Sequence, residues 1–165
     1  MHVTRTLKHL FATRIGTRAR FSTAVESAIT AAIRAAEART SGEIRFAVET
    51  ALDTPRLWAG MTAAARAKQV FASLGVWDTE LRNGVLIYVL MADRHVEIVA
   101  DRGAASRVAP DEWNRPARLM EVHFRARHFR EGAVAGVEAV GELLARYFPP
   151  GPANRDELPN QPTLL

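Results

Sequence analysis

The sequence predicts an α/β domain, a three-layer α/β/α sandwich with a small mixed β-sheet. Helix-period apolar stripes precede and follow the strand-like segments, so helices are expected on the sheet. The run from Val85 to Leu90 is continuously apolar, which is typical of a strand covered on both faces. The elements follow in the order α-β-α-β-β-α-α, and 165 residues is the length of one ordinary domain.

The composition excludes several classes of protein. Hydrophobic residues make up 48% of the chain and charged residues 24%, which is the balance of a folded globular domain. Without any cysteine, the chain can form no disulfide, thiolate metal site or cysteine nucleophile. No apolar run approaches the roughly 20 residues of a membrane span. The stretch from Leu7 to Ile15 is too interrupted for a signal peptide, so we expect a cytoplasmic location.

The first helix and the first strand have the clearest patterns. Thr23 with Glu26 three residues later indicates a capping box, and Gly42 is expected to end the helix. Its apolar stripe consists of Val25, Ala28, Ile29, Ala32, Ile33 and Ala36. Beyond Gly42, apolar Ile44, Phe46 and Val48 alternate with charged residues, which predicts a strand with one buried face.

A second helix and a hairpin are expected next. Thr54-Pro55 marks a helix start, and the apolar positions continue to Gly75. Asn83-Gly84 then introduces the Val85–Leu90 strand. The short turn at residues 92–94 leads into the alternating strand of residues 96–100, so the two strands should pair antiparallel.

The last third of the chain predicts two helices and a tail. Pro110 opens the first of them, but Pro116 lies in its interior, so we expect a kink or a later start near Asn114. The final helix carries Val134 to Phe148. Residues 149–165 hold five of the eight prolines and are expected to be disordered.

The opening segment, residues 1–20, carries five positive charges and no negative ones. Leu7, Leu10, Phe11 and Ile15 recur in it at helical spacing. Two interpretations are open: an amphipathic helix on an anionic membrane surface, or an arm packed on the domain with its arginines in water. Nucleic acid is disfavoured as a partner, since the basic segment has no aromatic stacking platform.

Several motifs together carry a resemblance to a known family. They are Ser41-Gly42-Glu43-Ile44-Arg45-Phe46, Asn83-Gly84-Val85-Leu86-Ile87-Tyr88-Val89, Asp93-Arg94-His95-Val96-Glu97-Ile98 and the closing Asp101-Arg102-Gly103. In this order and spacing the chain resembles the TPM domain family over roughly Phe21 to Phe148. The predicted organisation is therefore a basic arm at 1–20, a TPM-like domain at 21–148 and a tail at 149–165.

The resemblance implies a three-layer fold, a divalent-ion site reported in some members and the acid phosphatase activity attributed to the plant thylakoid branch. The chain departs from the family where it has Asp101-Arg102-Gly103-Ala104-Ala105, which bears on that ion site. It is similar to a short proteobacterial branch without signal peptide or membrane helix. Membrane-anchored TPM relatives are then the protein partners to expect.

The predicted topology also gathers polar side chains at one edge of the sheet. If the first two strands are parallel and the third antiparallel, Asp78, Asn83 and Asp101 share that edge with the weaker candidates Glu43, Glu80 and Asp111. Oxygen ligands of this kind suit Ca²⁺ or Mg²⁺. The alternative interpretation is that these residues only cap helices and form turns.

Two functions remain open at this stage. We expect first a cytoplasmic accessory or interaction module, peripheral to the inner membrane through its basic start. The alternative is a divalent-metal-dependent acid phosphatase in which Arg82 or Arg102 would hold the phosphate.

Overall fold

The computed structural model describes residues 2–151 and 155–165, which form eight helices and four strands around one sheet. The helices are α1 (His2–Phe11), α2 (Arg14–Arg20), α3 (Thr23–Glu37), α4 (Thr54–Trp58), α5 (Ala63–Ser73), α6 (Arg102–Arg107), α7 (Pro110–Arg125) and α8 (Phe129–Tyr147). The strands are β1 (Glu43–Glu49), β2 (Gly84–Leu90), β3 (His95–Ala100) and β4 (Thr163–Leu164). In the part of the chain so described, no helix is long and apolar enough to cross a membrane.

The strands form a mixed sheet in the order β3-β2-β1-β4. β1 and β2 are parallel, with Glu43 opposite Gly84 and Glu49 opposite Leu90. β3 pairs antiparallel with β2, so Ala100 lies opposite Val85. The expected relation among the first three strands is confirmed. Their polar flanking residues therefore meet at one edge of the sheet.

The sheet separates two apolar cores, as a three-layer sandwich requires. Ile44, Phe46 and Val48 belong to the core shared with α3, α7 and α8. Ala47, Leu86 and Tyr88 belong to the other core, together with residues of α4 and α5. The α/β fold predicted from the sequence is confirmed, because alternate side chains of each central strand enter opposite cores.

The prediction that β1 has one buried face is wrong, because all seven of its residues are buried. Its charged side chains are buried with partners. The guanidinium of Arg66 donates to both carboxylate oxygens of Glu49, at 2.8 and 3.1 Å, and the Tyr88 hydroxyl donates to Oε2 of Glu49. A polar residue in an alternating pattern can therefore face a covered layer when hydrogen bonds satisfy it.

The single helix expected from Thr54 to Gly75 is divided into α4 and α5. Gly60, with φ of 73°, lies in the break, and Thr62 starts α5 by accepting a hydrogen bond from Ala65 N. Trp58, an apolar residue of the single helix predicted from Thr54 to Gly75, is 80% exposed at the end of α4.

The structure differs from the prediction around Asp101 and Pro116 as well. The short helix α6 follows β3 directly, which the sequence pattern did not indicate. α7 starts at Pro110, so a later start near Asn114 is wrong. Pro116 is buried inside α7, where packing outweighs the loss of one backbone hydrogen bond.

The tail is ordered from residue 155 to residue 165, so the prediction of disorder is wrong for that part, while residues 152–154 lie outside the described residues. β4 pairs parallel with β1, and Leu158 is buried in the α5 core. The Arg45 guanidinium donates to the carbonyl oxygens of Pro159 and Gln161, at 2.6 Å in the latter case. Backbone pairing and a buried arginine hold the segment in spite of its composition.

Candidate functional site

The amino ends of β1 and β2 and the carboxyl end of β3 form one edge of the sheet, where Asn83 and Asp101 meet. Asn83 immediately precedes β2, and Asp101 immediately follows β3. The backbone N–H of Asp101 donates to the carbonyl of Gly84 at 2.9 Å, which continues the β2–β3 ladder by one bond. The antiparallel register therefore places Asp101 opposite Gly84, one residue from Asn83, so both predicted site residues lie at the same edge of the sheet.

The Asn83 side chain is completely buried and only partly hydrogen-bonded. Its Nδ2 donates to the carbonyl of Ser41 at 2.7 Å, and its backbone N–H donates to Oγ1 of Thr79 at 3.1 Å. Among the described residues, its Oδ1 atom is buried without a hydrogen-bond partner. A buried amide oxygen without a hydrogen-bond partner lowers the stability of the fold unless another group binds it.

Asp101 shows the same pattern one strand away. Its Oδ1 accepts a hydrogen bond of 2.7 Å from Arg102 N at the start of α6. Its Oδ2 is buried and has no partner in the part of the chain that is described. One amide oxygen just before β2 and one carboxylate oxygen just after β3 thus have no hydrogen-bond partner among the described residues. We call these two atoms the open oxygens. Hard cations such as Ca²⁺ and Mg²⁺ prefer ligands of this kind, so the residues fit the ion that the family resemblance implies.

Three of the other predicted ligands lie at the surface. Asp78 and Glu80 are exposed in the loop before β2, and the backbone N–H of Glu80 donates to Oε2 of Glu157 at 3.0 Å. Asp111 is exposed in the first turn of α7, where its charge suits the amino end of the helix. Asn83 and Asp101 are therefore the predicted ligands with buried, open oxygens.

Glu43, the remaining predicted ligand, belongs to a second group of carboxylates. Its Oε2 accepts hydrogen bonds from the backbone N–H groups of Glu157 and Leu158, at 3.2 and 3.1 Å. Glu37, Glu43 and Asp156 each place one possible ligand atom within 4.8 Å of the others. Burial raises the pKa of Glu37 to about 8 and that of Glu43 to about 7.

The sequence interpretation missed Glu37 and Asp156. A signal for Glu37 did exist, because it directly follows buried Ala36 and lies four residues after buried Ile33, on the apolar side of α3. No sequence pattern marks Asp156, which reaches the group only because the tail folds back along β1.

Arg82 and Arg102, the predicted phosphate-holding residues, both flank the Asn83–Asp101 pair. Both are exposed, and their guanidinium groups make no hydrogen bond to the described residues. The carbonyl of Arg82 accepts from Gly103 N at 2.8 Å, and a Cβ at Gly103 would lie 2.5 Å from that oxygen. The loop before β2 therefore packs directly on the start of α6.

At the opposite edge of the sheet, the basic arm of residues 2–20 attaches to the β2–β3 turn through polar groups. His9 is 4% exposed, and its Nδ1 accepts from Leu52 N at 2.9 Å, which leaves Nε2 to donate to Asp93 at 3.0 Å. Arg5 donates to the same carboxylate and to the carbonyl of Met61. Burial alone would raise the Asp93 pKa, but the hydrogen bonds from Arg5 and His9 outweigh it and lower the pKa.

The apolar residues of the arm face solvent. Leu10 is 62% exposed, Phe11 79% and Ile15 83%. The arm is thus packed on the domain, as one of the two interpretations expected. However, its polar side makes the contact, and the apolar side that should have been covered is open. Several large apolar side chains exposed in one short segment suggest a binding surface.

This three-layer sandwich, with a four-stranded mixed sheet and open oxygens at one edge, belongs to a known class of α/β domain. The TPM domain model matches residues 17–143, and the chain belongs to the TPM domain family. A comparison with curated proteins finds no match.

A solved structure with the same fold supports this assignment. The NMR structure of the BA42 protein from the psychrophilic bacterium Bizionia argentinensis is 37% identical in sequence and superimposes with a TM-score of 0.77. The similarity covers 87% of this chain and 94% of that one. Identity at this level, over nearly the whole length, extends the match beyond the fold alone.

Proposed function

We propose that this TPM domain is an accessory module that binds the anionic inner face of a membrane through its basic arm, from a cytoplasmic location. The observation that carries the proposal is the exposure of Leu10, Phe11 and Ile15 beside the arm's positive charges. On the membrane, its protein partners would be membrane-anchored TPM relatives.

The arm combines the two interactions that peripheral helices use. The apolar side can enter the headgroup boundary, while the exposed Lys8, Arg14 and Arg18 attract anionic lipids. Each basic residue near such a surface contributes about 1 kcal/mol at physiological ionic strength. Arg5 does not contribute to this attraction, because its guanidinium is already paired with Asp93.

Vesicle sedimentation tests the proposal. We expect the protein to sediment with phosphatidylglycerol-containing vesicles at low salt and to be released as salt screens the charges. The double variant L10S/I15S should lose binding, because it removes exposed apolar area without touching the His9–Asp93 contact. The matched control is W58S, which removes an equally exposed apolar side chain outside the arm. Equal sedimentation of L10S/I15S and the parent protein would contradict the proposal.

A second observation favours divalent-cation binding by the same domain. Asn83 Oδ1 and Asp101 Oδ2 are each buried without a hydrogen-bond partner among the described residues, at the same edge of the sheet, and binding of Ca²⁺ or Mg²⁺ to them would remove an energetic cost. Asp78, in the neighbouring exposed loop, is the third ligand we propose. The ion would tie the loop before β2 to the start of α6.

Amide NMR during Ca²⁺ and Mg²⁺ titration tests this site. We expect shifts at residues 78–84 and 100–103, which D101N should abolish. An asparagine at this position keeps an oxygen for the Arg102 cap but loses the second carboxylate oxygen. D53N is the matched control, because Asp53 also caps a helix through one oxygen and lies outside the edge. Shifts centred instead on Glu37, Glu43 and Asp156 would contradict the assignment.

The phosphatase hypothesis is the weaker proposal. It requires Arg82 or Arg102 to hold a phosphate at the proposed ion. Both side chains are exposed and are not held toward a common point by the described residues. Release of phosphate from a generic phosphomonoester, lost in D101N, would be needed to raise this hypothesis above that of a binding module.

A further inference from the structure

We propose that the cavity between the basic arm and the β2–β3 turn binds a phosphate group carried on an apolar molecule. This cavity, of about 460 Å³, lies at the carboxyl end of β2, at the opposite edge from Asn83 and Asp101. Three parts of the chain enclose it: the α1–α2 arm, the end of β2 with its turn, and the α7–α8 loop. Its position and its chemistry differ from those of the proposed cation site.

Four positive side chains line the cavity. They come from separate elements: Lys8 and Arg20 from the arm, Arg94 from the β2–β3 turn and Arg127 from the α7–α8 loop. The acidic side chain in the lining, Asp93, is already bound by Arg5 and His9. The lining therefore carries an excess of positive charge, which favours an anionic ligand.

Two of these arginines occupy backbone positions that favour glycine. Arg94 has φ of 50° and Arg127 has φ of 65°. Arg127 follows α7 at the position where a left-handed glycine commonly ends a helix, and its N–H donates to the carbonyl of Phe124. Arginine at a left-handed position is unfavourable for the fold. Strain of this kind is concentrated at functional sites, and here both strained residues supply charge to the same cavity.

The cavity also has an apolar aromatic wall. The Phe124 and Phe129 rings stack with centroids 5.5 Å apart, and the Arg20 guanidinium lies 5.7 Å from the Phe129 centroid. This cation–π contact fixes Arg20 at the wall. The volume falls within the range of roughly 300 to 1,000 Å³ that holds small-molecule ligands. The cavity is larger than a bare phosphate ion needs, so the aromatic wall can contact an apolar substituent of the ligand.

The ligand chemistry that fits is a phosphomonoester with an aromatic or a long alkyl substituent. Arginines bind phosphate through paired hydrogen bonds, and the partly buried Phe129, with Phe124 buried behind it, would pack on the substituent. Such a group occurs both in diffusible phosphorylated metabolites and in lipid headgroups. The cavity shares Lys8 and Phe11 with the proposed membrane-docking surface, but Leu10 and Ile15 do not line it, so the L10S/I15S variant separates the two proposals.

Calorimetric titration with phenyl phosphate tests the site on the full chain, with phenol as the uncharged control probe. The decisive variant is R94G/R127G, because glycine fits both backbone positions and the fold should be retained. We expect binding to weaken by at least about tenfold, while the urea midpoint stays the same or rises. The matched control is R115A, since Arg115 is an exposed arginine of α7 that does not line the cavity and has no role in the proposed cation site or the phosphatase hypothesis.

Vesicles containing phosphatidic acid separate the two sources of the phosphate. If phenyl phosphate binds and R94G/R127G loses it, the site is confirmed for a diffusible ligand. If only phosphatidic acid vesicles bind, and do so through Arg94 and Arg127, the site is confirmed for a lipid headgroup. Undiminished binding by R94G/R127G, loss of binding in R115A, or no binding of either probe would overturn the inference. Because L10S/I15S should still bind phenyl phosphate, failure of membrane docking is distinguishable from failure of this site.

Discussion

The Tyr88 hydroxyl donates a 2.6 Å hydrogen bond to Oε2 of Glu49, from the middle of β2 to the end of β1. Arg66 of α5 donates to the same carboxylate, whose side chain is only 8% exposed. Burial raises the pKa of Tyr88, and the neighbouring Glu49 carboxylate raises it further, so the phenol stays protonated and remains a donor. These three side chains join the α5 layer to the two central strands.

Loss of Arg66 should therefore destabilise the domain strongly. R66M leaves the Glu49 carboxylate buried without its cation, and we expect the free energy of unfolding to fall by about 3 to 5 kcal/mol in urea titrations. Y88F removes one hydrogen bond and should cost about 1 kcal/mol. The double variant E49Q/R66M should recover part of the loss. If R66M and its double variant are equally unstable, the loss comes from packing rather than from the unpaired charge.

Stability should fall as the pH rises from mildly acidic to mildly basic values. Burial raises the pKa of Glu37 to about 8 and of Glu43 to about 7, whereas a carboxyl in the unfolded chain has an ordinary pKa of 4.5. Between these values the folded state holds protons that the unfolded state releases. The stabilisation is complete below pH 4.5, and it is lost progressively as the pH approaches 8.

Urea unfolding at a series of pH values across this window measures the effect. The double variant E37Q/E43Q cannot ionise at these positions, so its stability should vary less with pH and should exceed that of the parent protein at the basic end. E138Q, a change at an exposed position on α8, is the control. The carboxylate explanation fails if E37Q/E43Q keeps the full pH dependence.

The arm should open locally when Asp93 loses its charge. D93N removes the ion pair with Arg5 and weakens the hydrogen bond from His9, so we expect the free energy of local opening to fall by about 1 to 3 kcal/mol. Amide hydrogen exchange should then speed up roughly tenfold or more across residues 4–20, with the β2 amides unchanged. D111N is a matched control at an exposed aspartate. Unchanged exchange in the arm would show that other contacts hold it.

The tail should contribute to global stability. Leu158 is 7% exposed in the core beneath α5, and L158A should cost about 2 to 4 kcal/mol through lost burial and the resulting cavity. Q161A changes an exposed side chain in the same segment and should have little effect. Both are measured by urea unfolding. A disordered tail would instead make the two variants indistinguishable.

The central elements could be predicted because their signals are local. The alternation around Phe46 and the continuous apolar run beginning at Val85 each specify a strand, and their relative direction follows from the helices between them. The proximity of Asn83 and Asp101 follows in turn, because pairing of β2 with β3 fixes which flanking residues meet. The division at Gly60 was missed because neighbouring apolar positions fitted one continuous helix.

By itself, then, the sequence determined the layer architecture, the family and the edge at which Asn83 and Asp101 lie. The spacing of apolar residues and the pairing of β2 with β3 across a short turn are properties of short segments. The tertiary structure decided which oxygens remain open, which face of the arm is exposed, and that residues 155–165 extend along β1 to bring Asp156 to Glu37 and Glu43. Those outcomes depend on contacts between residues far apart in the chain, for which no local pattern exists. The free energy of such contacts overrides composition, and it does so most clearly in the proline-rich tail.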